Sequence, residues 1–394
     1  MPYLKDVYLV HYVRSAFSRS RPSQPERDVF NTIRMDEVLS RLIMHAVSSN
    51  SIRAAEINDV IVGCAYQRDE NWTFGGRHPV FLSHLPAEVP SAAVDRACSS
   101  SLNAISFGAM EIMTGAADIV LAGGMEHMTH VPRLSNRLCE PLLNDASYSS
   151  YGMDVGYHMG LTAEKLARER NIGRAEMDEY ALRSHLLAAE ALESGFLQGE
   201  ILPIEVGGPD SRMVVDRDQS IRADTTSEKL AALPPAFMKD GLVTAGNSSP
   251  LNAGASLVTL MSGDKMNELG IKPLAKLVSV GWASGDPSIM GAMVVPAIRK
   301  ALERASLSTS DVDLWEINEA FSVVVLNAIR ELKIDSGTVN VNGGAIAIGH
   351  PLGATGARLA GTLSRMLEAG KGDYGVAAVC VGGGQGYAVV LQRV

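Results

Sequence analysis

Residues 343–358 read GGAIAIGHPLGATGAR, and residues 374–386 read YGVAAVCVGGGQG. Between them the spacing predicts a helix opened by Gly353 and running through Leu367. Ala357, Ala360, Leu363 and Leu367 fall on one face of it. Gly370 ends that helix, and an apolar strand leads to Cys380. The same rhythm occurs far upstream, in DRACSSSLNAI at 95–105. There Cys98 opens a predicted helix through Thr114, with Leu102, Ile105, Ala109 and Ile112 on one face. Gly115 ends it, and the strand DIVLAGG follows. A turn, a small-residue helix, a glycine and an apolar strand thus occur twice.

The repeat extends outward. Asp36 to Ser49 reads as a helix, with Val38, Leu39, Leu42, Ile43 and Ala46 at helical spacing, before the strand in AEINDVIVGCAYQ. Pro296 to Ala305 reads as a helix, with Ile298, Ala301 and Leu302 inward, before the strand in STSDVDLWEINEAF. Each half opens on a β-rich stretch, VYLVHYV and AKLVSVGWA. Alternating helices and apolar strands indicate α/β layers. Two similar halves suggest two stacked sheets with buried helices between them. Residues 125–246 interrupt the rhythm with polar turns, Pro203, Pro209, Pro234 and Pro235, and a charged helix from Arg174 to Ser194. The expected division is a first core half at 1–124, completed by about 247–272, an inserted loop domain at 125–246, and a second core half at 273–394.

Composition narrows the function. The chain has 394 residues, 46% hydrophobic and 20% charged, with 37 glycines. That fits more than one folding unit and a large core. A net charge of −9 argues against general nucleic-acid binding. No apolar run approaches the roughly 20 residues of a membrane span. Residues 1–17 lack the apolar core and cleavage site of a signal peptide. The cysteines at 64, 98, 139 and 380 form no CxxC pair, so neither a disulfide framework nor a zinc site is expected. The default reading is a cytoplasmic protein, with an organelle matrix after import left open.

The chemistry-bearing residues sit at turns. Cys98 stands where a strand passes into a helix, and free N–H groups there favour a thiolate. Ser99, Ser100 and Ser101 are small and allow close approach. His350 lies between Gly349 and Pro351, held as an imidazole that deprotonates a thiol. Cys380 ends a strand, and Gly382, Gly383, Gly384 and Gly386 let backbone N–H groups turn toward a ligand. Asn318, in NEAF at 318–321, follows the strand LWEI and presents an uncharged amide.

Taken together, Cys98, NEAF, GHP and CVGGGQG resemble the thiolases over residues 1–394. The resemblance implies a duplicated five-layered αβαβα core with an inserted loop domain that binds coenzyme A. It implies Cys98 as nucleophile and His350 as its base. Cys380 would exchange a proton with the α-carbon of acetyl-CoA. The Gly382 N–H would join that of Cys98 around a thioester oxyanion, and Asn318 would fix a water in a second oxyanion hole. His158, Met159, Ser249 and Arg222 match residues along the CoA channel. No metal or permanently bound cofactor is implied; CoA is the co-substrate.

Some positions depart from the family pattern. Ser99 stands for Gly or Ala, Lys229 for a serine near the adenosine, Pro234 for an arginine and Ala253 for an aspartate. Met293 and Val294 replace Gly and Pro in the MGxGPxP run, which would either reshape the acyl pocket or repack its loop.

The leading expectation is acetyl-CoA C-acyltransferase activity, cleaving 3-ketoacyl-CoA in fatty-acid degradation. CVGGGQG leans that way, while GGAIAIGHPLGATGAR fits acetoacetyl-CoA-forming relatives equally. A decarboxylative condensing enzyme would lack the second cysteine, Cys380. An inert CoA-binding or scaffold subunit conflicts with intact Cys98, His350 and Cys380. The resemblance further implies a homodimer or homotetramer, with a hydratase–dehydrogenase subunit as a further possible partner.

Overall fold

The computed structural model describes residues 4–50, 52–132, 138–208 and 211–394. Its strands are β1 (Val7–Arg14), β2 (Asp59–Gly63), β3 (Ser91–Val94), β4 (Ile119–His127), β5 (Ile204–Val206), β6 (Met213–Val215), β7 (Ala253–Ser262), β8 (Ala275–Ser284), β9 (Leu314–Ile317), β10 (Tyr374–Val381) and β11 (Gln385–Gln392). Its helices are α1 (Met35–Ser49), α2 (Arg77–Leu82), α3 (Ser100–Met113), α4 (Pro141–Asn144), α5 (Met153–Gly156), α6 (Met159–Glu169), α7 (Arg174–Glu193), α8 (Ser227–Ala231), α9 (Gly263–Leu269), α10 (Val294–Ala305), α11 (Ser322–Leu332) and α12 (Leu352–Glu368).

Nine strands form one hydrogen-bonded array in the order β3-β2-β4-β7-β1-β8-β11-β10-β9. Reading outward from its middle, β1, β7, β4 and β2 match β8, β11, β10 and β9. A parallel bridge from Trp315 to Val339 stands where β3 would have its counterpart. The two half-sheets meet through β1 and β8, which pair antiparallel over Val7–Leu9 and Ala275–Leu277. This edge contact links sheets that the sequence rhythm could describe only as stacked.

Helices α3 and α12 touch each other and strands of both half-sheets, so they form the middle layer. Helix α1 covers the outer face of the first half and α10 that of the second. The layers therefore run α, β, α, β, α. The apolar faces read from periodicity are the buried ones: Val38, Leu39, Leu42 and Ile43 of α1, Leu102, Ile105 and Ile112 of α3, and Leu363 and Leu367 of α12. Burying each large apolar side chain contributes roughly 1.5–3 kcal/mol. Small residues let the middle layer close. A Cβ on Gly124 would collide with the Gly353 carbonyl, and one on Gly356 with the Leu102 backbone. The buried Arg358 guanidinium of α12 also bonds Glu316 of β9 at 2.7 Å. Such a pair fixes orientation more than it adds stability.

Among the described residues no helix is long and apolar enough to cross a membrane.

Candidate active site

Cys98 does not lie in the first turn of α3. It sits in a separate 3-10 turn, Ala97–Ser99, and α3 starts at Ser100. Ala97 adopts the left-handed region at φ 44°. The neighbouring side chains hold that bend. The Asp95 carboxylate accepts the Ala97 N–H at 2.8 Å. The Ser100 hydroxyl accepts the Arg96 N–H at 2.9 Å and donates to the Ala97 carbonyl at 2.7 Å. Local side-chain bonds of this kind compete with helix continuation and displace its start. Cys98 is buried and packs with the apolar middle layer. Its turn lies against α12 and β10.

His350 precedes α12 and is buried. Its backbone N–H donates to Asn252 Oδ1 at 2.8 Å. Gly349 has φ +122°, and a Cβ there would lie 2.7 Å from Asn252 Nδ2, so only glycine suits the position. His350 Nδ1 lies 2.7 Å from Thr355 Oγ1, whose own hydrogen goes to the Pro351 carbonyl at 2.9 Å. The hydroxyl must then accept from Nδ1–H, which leaves a lone pair on Nε2. Burial, with the Arg358 charge nearby, pushes the His350 pKa down to about 3. The ring is therefore neutral at physiological pH.

Asn318 Nδ2 lies 3.3 Å from His350 Nε2. The backbone at Asn318 is anchored to the strand array by its N–H, which donates to the Ala378 carbonyl at 2.9 Å. Its Oδ1 is buried and has no hydrogen-bond partner. An orphan buried acceptor is costly unless something donates to it, so this atom can take a water or a substrate group. Next to it, Glu319 accepts from Tyr180, Ser184, Asn340 and the Ile346 N–H, tying α7 to the turn before His350.

Cys380 is the penultimate residue of β10 and pairs with Gly386 across a hairpin. Burial and the neighbouring Cys98 raise its thiol pKa. It is thus held as a neutral thiol, able to give a proton to a carbanion. Gly383 and Gly384 turn the hairpin at φ +81° and +73°. Gly382 faces Met159, whose Sδ would lie 3.6 Å from a Cβ on that glycine.

The structure thus gathers Cys98, Asn318, His350 and Cys380 at the inner ends of the two halves. Met159 reaches the same place. Ser249 donates both its N–H, at 3.0 Å, and its hydroxyl, at 3.1 Å, to the Ala320 carbonyl beside Asn318. His158 caps α6 and is exposed. Arg222 lies farther out, exposed, with its N–H donating to His185 Nδ1 at 3.3 Å. Three residues missed by local reading complete the site: Asn252, Thr355 and Phe237. The Phe237 ring lies directly over Gly160 and 6.0 Å from the Phe321 ring, edge to face, forming an aromatic wall beside Met159.

The departures have structural counterparts. Ala253 is buried at the start of β7, opposite His127. Lys229 pairs with Asp224 at 2.6 Å. The Met293 sulfur would lie 2.6 Å from a Cβ on Gly285, so this side chain leans on the end of β8.

Residues 7–264 match the family model "Thiolase, N-terminal domain", and residues 271–393 match "Thiolase, C-terminal domain". The chain belongs to the thiolase family. It is 41% identical over 397 residues to a 3-ketoacyl-CoA thiolase of Marinobacter nauticus, covering 99% of both chains. It is 41% identical to a 3-ketoacyl-CoA thiolase of Klebsiella pneumoniae, over 99% of this chain and 100% of that one. Among solved structures, the acetyl-CoA acetyltransferase of Bacillus anthracis superposes with a TM-score of 0.88 at 36% identity, with full coverage of both chains. The human mitochondrial 3-ketoacyl-CoA thiolase does so at 0.88 and 34% identity, covering 99% of each.

Proposed function

We propose that this thiolase cleaves 3-ketoacyl-CoA with CoA, giving acetyl-CoA and a shortened acyl-CoA. The observation that carries the reading is the neutral His350, with Nε2 free of a proton, set beside Asn318 near two neighbouring buried cysteines. The names of the relatives support the direction and the substrate class.

In the proposed path His350 Nε2 takes the Cys98 proton, and the thiolate attacks the substrate C3 carbonyl. Protonated His350, with a water held by Asn318, stabilises the oxyanion. The C2–C3 bond breaks, its electron pair goes to C2, and Cys380 protonates the acetyl-CoA carbanion. The acyl group stays on Cys98. The Cys380 thiolate then takes the proton of an incoming CoA thiol, whose sulfur attacks the acyl-cysteine. The Cys98 and Gly382 N–H groups hold the second oxyanion, and collapse of the tetrahedral state expels the Cys98 thiolate, which takes back the proton held by His350. Met159 and Ser249 line the CoA path near the reacting groups, and the exposed His158 and Arg222 line it farther out. CoA is the co-substrate, and no resident metal or redox group enters the path.

Synthesis of acetoacetyl-CoA is the second reading, favoured by the likeness to the Bacillus anthracis acetyltransferase. Rates on acetoacetyl-CoA and on a medium-chain 3-ketoacyl-CoA, with Cys98→Ala as control, separate the two. Faster cleavage of the longer substrate supports the degradative reading. Activity confined to acetoacetyl-CoA overturns it. Loss of both activities only in Cys98→Ala excludes an inert CoA-binding or scaffold subunit.

A homodimer or homotetramer also forms part of the proposal. β3 ends the sheet array, and the exposed rings of Trp72, Phe74 and Phe81 lie in the connection between β2 and β3. Sedimentation equilibrium would test the assembly. Co-purification would test a hydratase–dehydrogenase subunit, and a tagged full chain would test a cytoplasmic location.

A further inference from the structure

Arg19 is half-buried and forms no salt bridge or side-chain hydrogen bond among the described residues. The charges acting on it are those of Arg21, Arg222 and Arg27. Its pKa is lowered by burial and then by those three cations. Arg21 and Arg222 likewise have no salt bridge, and Arg27 bonds only the neutral Gln24, at 2.7 Å. The nearby acids are engaged elsewhere. Asp28 faces the Thr129 hydroxyl, the Phe30 N–H at 3.0 Å and the Ser20 hydroxyl at 3.5 Å. Asp224 is held by Lys229 at 2.6 Å. In a chain of net charge −9, four arginines thus gather with no salt bridge to a carboxylate among the described residues.

Their placement relates them to the reaction site. Asn252, which holds the His350 backbone, donates to the Ser18 carbonyl at 2.5 Å and to Ser220 Oγ at 3.5 Å. Arg19 follows Ser18, and Arg222 lies two residues beyond Ser220. The Ser20 N–H also donates to the Leu251 carbonyl at 2.8 Å, and the Gln219 N–H to the Phe17 carbonyl at 3.0 Å. Both arginine-bearing segments therefore hang from the residue that positions the catalytic base. Clustered guanidinium groups without acidic partners are matched by a phosphate, whose oxygens accept their forked donors.

We propose that Arg19, Arg21, Arg27 and Arg222 form a cationic cradle for a phosphate group of the CoA nucleotide. This rests on the CoA-dependent function above, and extends the nucleotide site from Arg222 alone to the segment following β1. Asp224, bonded to Lys229 at 2.6 Å, makes no salt bridge to Arg222, although the Arg222 charge helps lower its pKa.

The test is steady-state thiolysis by the full chain with CoA, 3′-dephospho-CoA or pantetheine as acyl acceptor. The readout is kcat/KM for the acceptor in wild type, Arg19→Gln, Arg21→Gln and the double variant. The ratio of CoA to pantetheine is expected to fall about fivefold in each single variant and about thirtyfold in the double. If the effect disappears with 3′-dephospho-CoA, the cradle holds the 3′-phosphate; if it persists, it holds the pyrophosphate. Either outcome upholds the proposal. A ratio equal to wild type in the double variant, or equal losses with phosphate-free pantetheine, overturns it while leaving the thiolase reading intact. Absence of CoA-dependent cleavage by the wild type sinks that parent reading and the cradle with it.

Discussion

The two halves of the molecule place different chemistry at matching strand ends. In the first half Gly63 pairs with Gly124, so Cys64 and Glu126 follow at the ends of β2 and β4. In the second Ile317 pairs with Ala378, so Asn318 and Cys380 occupy the same two places on β9 and β10. The first pair is closed. Glu126 is buried and accepts from Cys64 Sγ, from the N–H groups of Ala65, Tyr66 and Gly353, and from Asn71. It thereby ties the start of α12, just after His350, to the opposite half. The second pair is open. Asn318 keeps an unpartnered Oδ1, and Cys380 is an unionised buried thiol beside Cys98. One half of a duplicated scaffold saturates its polar ends to hold the helix, and the other leaves them available for reaction.

Exchanging single atoms at these places should separate the two roles. Asn318→Ala is expected to lower kcat/KM for thiolysis by about 10²–10³-fold, as loss of an oxyanion-hole group does. Its unfolding midpoint should stay near wild type. Cys64→Ala removes only a weak thiol donor at 3.6 Å, so its activity should stay within about threefold of wild type. Comparable activity losses in the two variants would erase the distinction.

Glu126→Gln should act in the opposite sense, on stability before chemistry. Its amide NH2 would face N–H donors, costing about 3 kcal/mol in urea unfolding. A pH dependence accompanies this. Burial, opposed by the surrounding N–H groups, raises the Glu126 pKa to about 7. The folded protein then binds that proton more tightly than the unfolded chain does. The resulting contribution is full below the unfolded value of about 4.5 and is lost as pH rises toward 7. The difference between wild-type and Glu126→Gln stability curves should slope across that window. A flat difference would place the Glu126 pKa at its ordinary value.

The smallest expected effect concerns His350. With its pKa near 3, it stays neutral across the ordinary assay range. The kcat/KM profile of the free enzyme should therefore show no inflection near pH 6.5. An acid limb there that disappears in His350→Asn would mean the imidazole is better solvated than its burial indicates.

The layered fold was legible in the sequence because helical and strand periodicities repeat across both halves. Val38 to Ala46 and Ala357 to Leu367 bury the faces their spacing marks. Cys98, His350 and Cys380 were legible as motifs because each sits at a turn beside small residues, and Asn318 because NEAF follows the strand LWEI. Their supports were not. Asn252 lies 98 positions from His350, and Glu126 lies 227 positions from Gly353. No local pattern signals a polar side chain whose partner comes from another half. The 3-10 turn at Cys98 was also hidden, because Ala97 carries no sequence mark of a left-handed residue. The joining of the half-sheets through β1 and β8 depends on one short antiparallel contact that periodicity does not encode.

The most direct measurement follows hydrogen exchange at the α-carbon of acetyl-CoA in deuterated buffer, for wild type, Cys380→Ala and Cys64→Ala, while mass spectrometry monitors acetylation of Cys98. Wild type and Cys64→Ala should exchange, and Cys380→Ala should not, with Cys98 acetylated in all three. Exchange by Cys380→Ala at the wild-type rate would contradict the assignment of proton transfer to the open strand end.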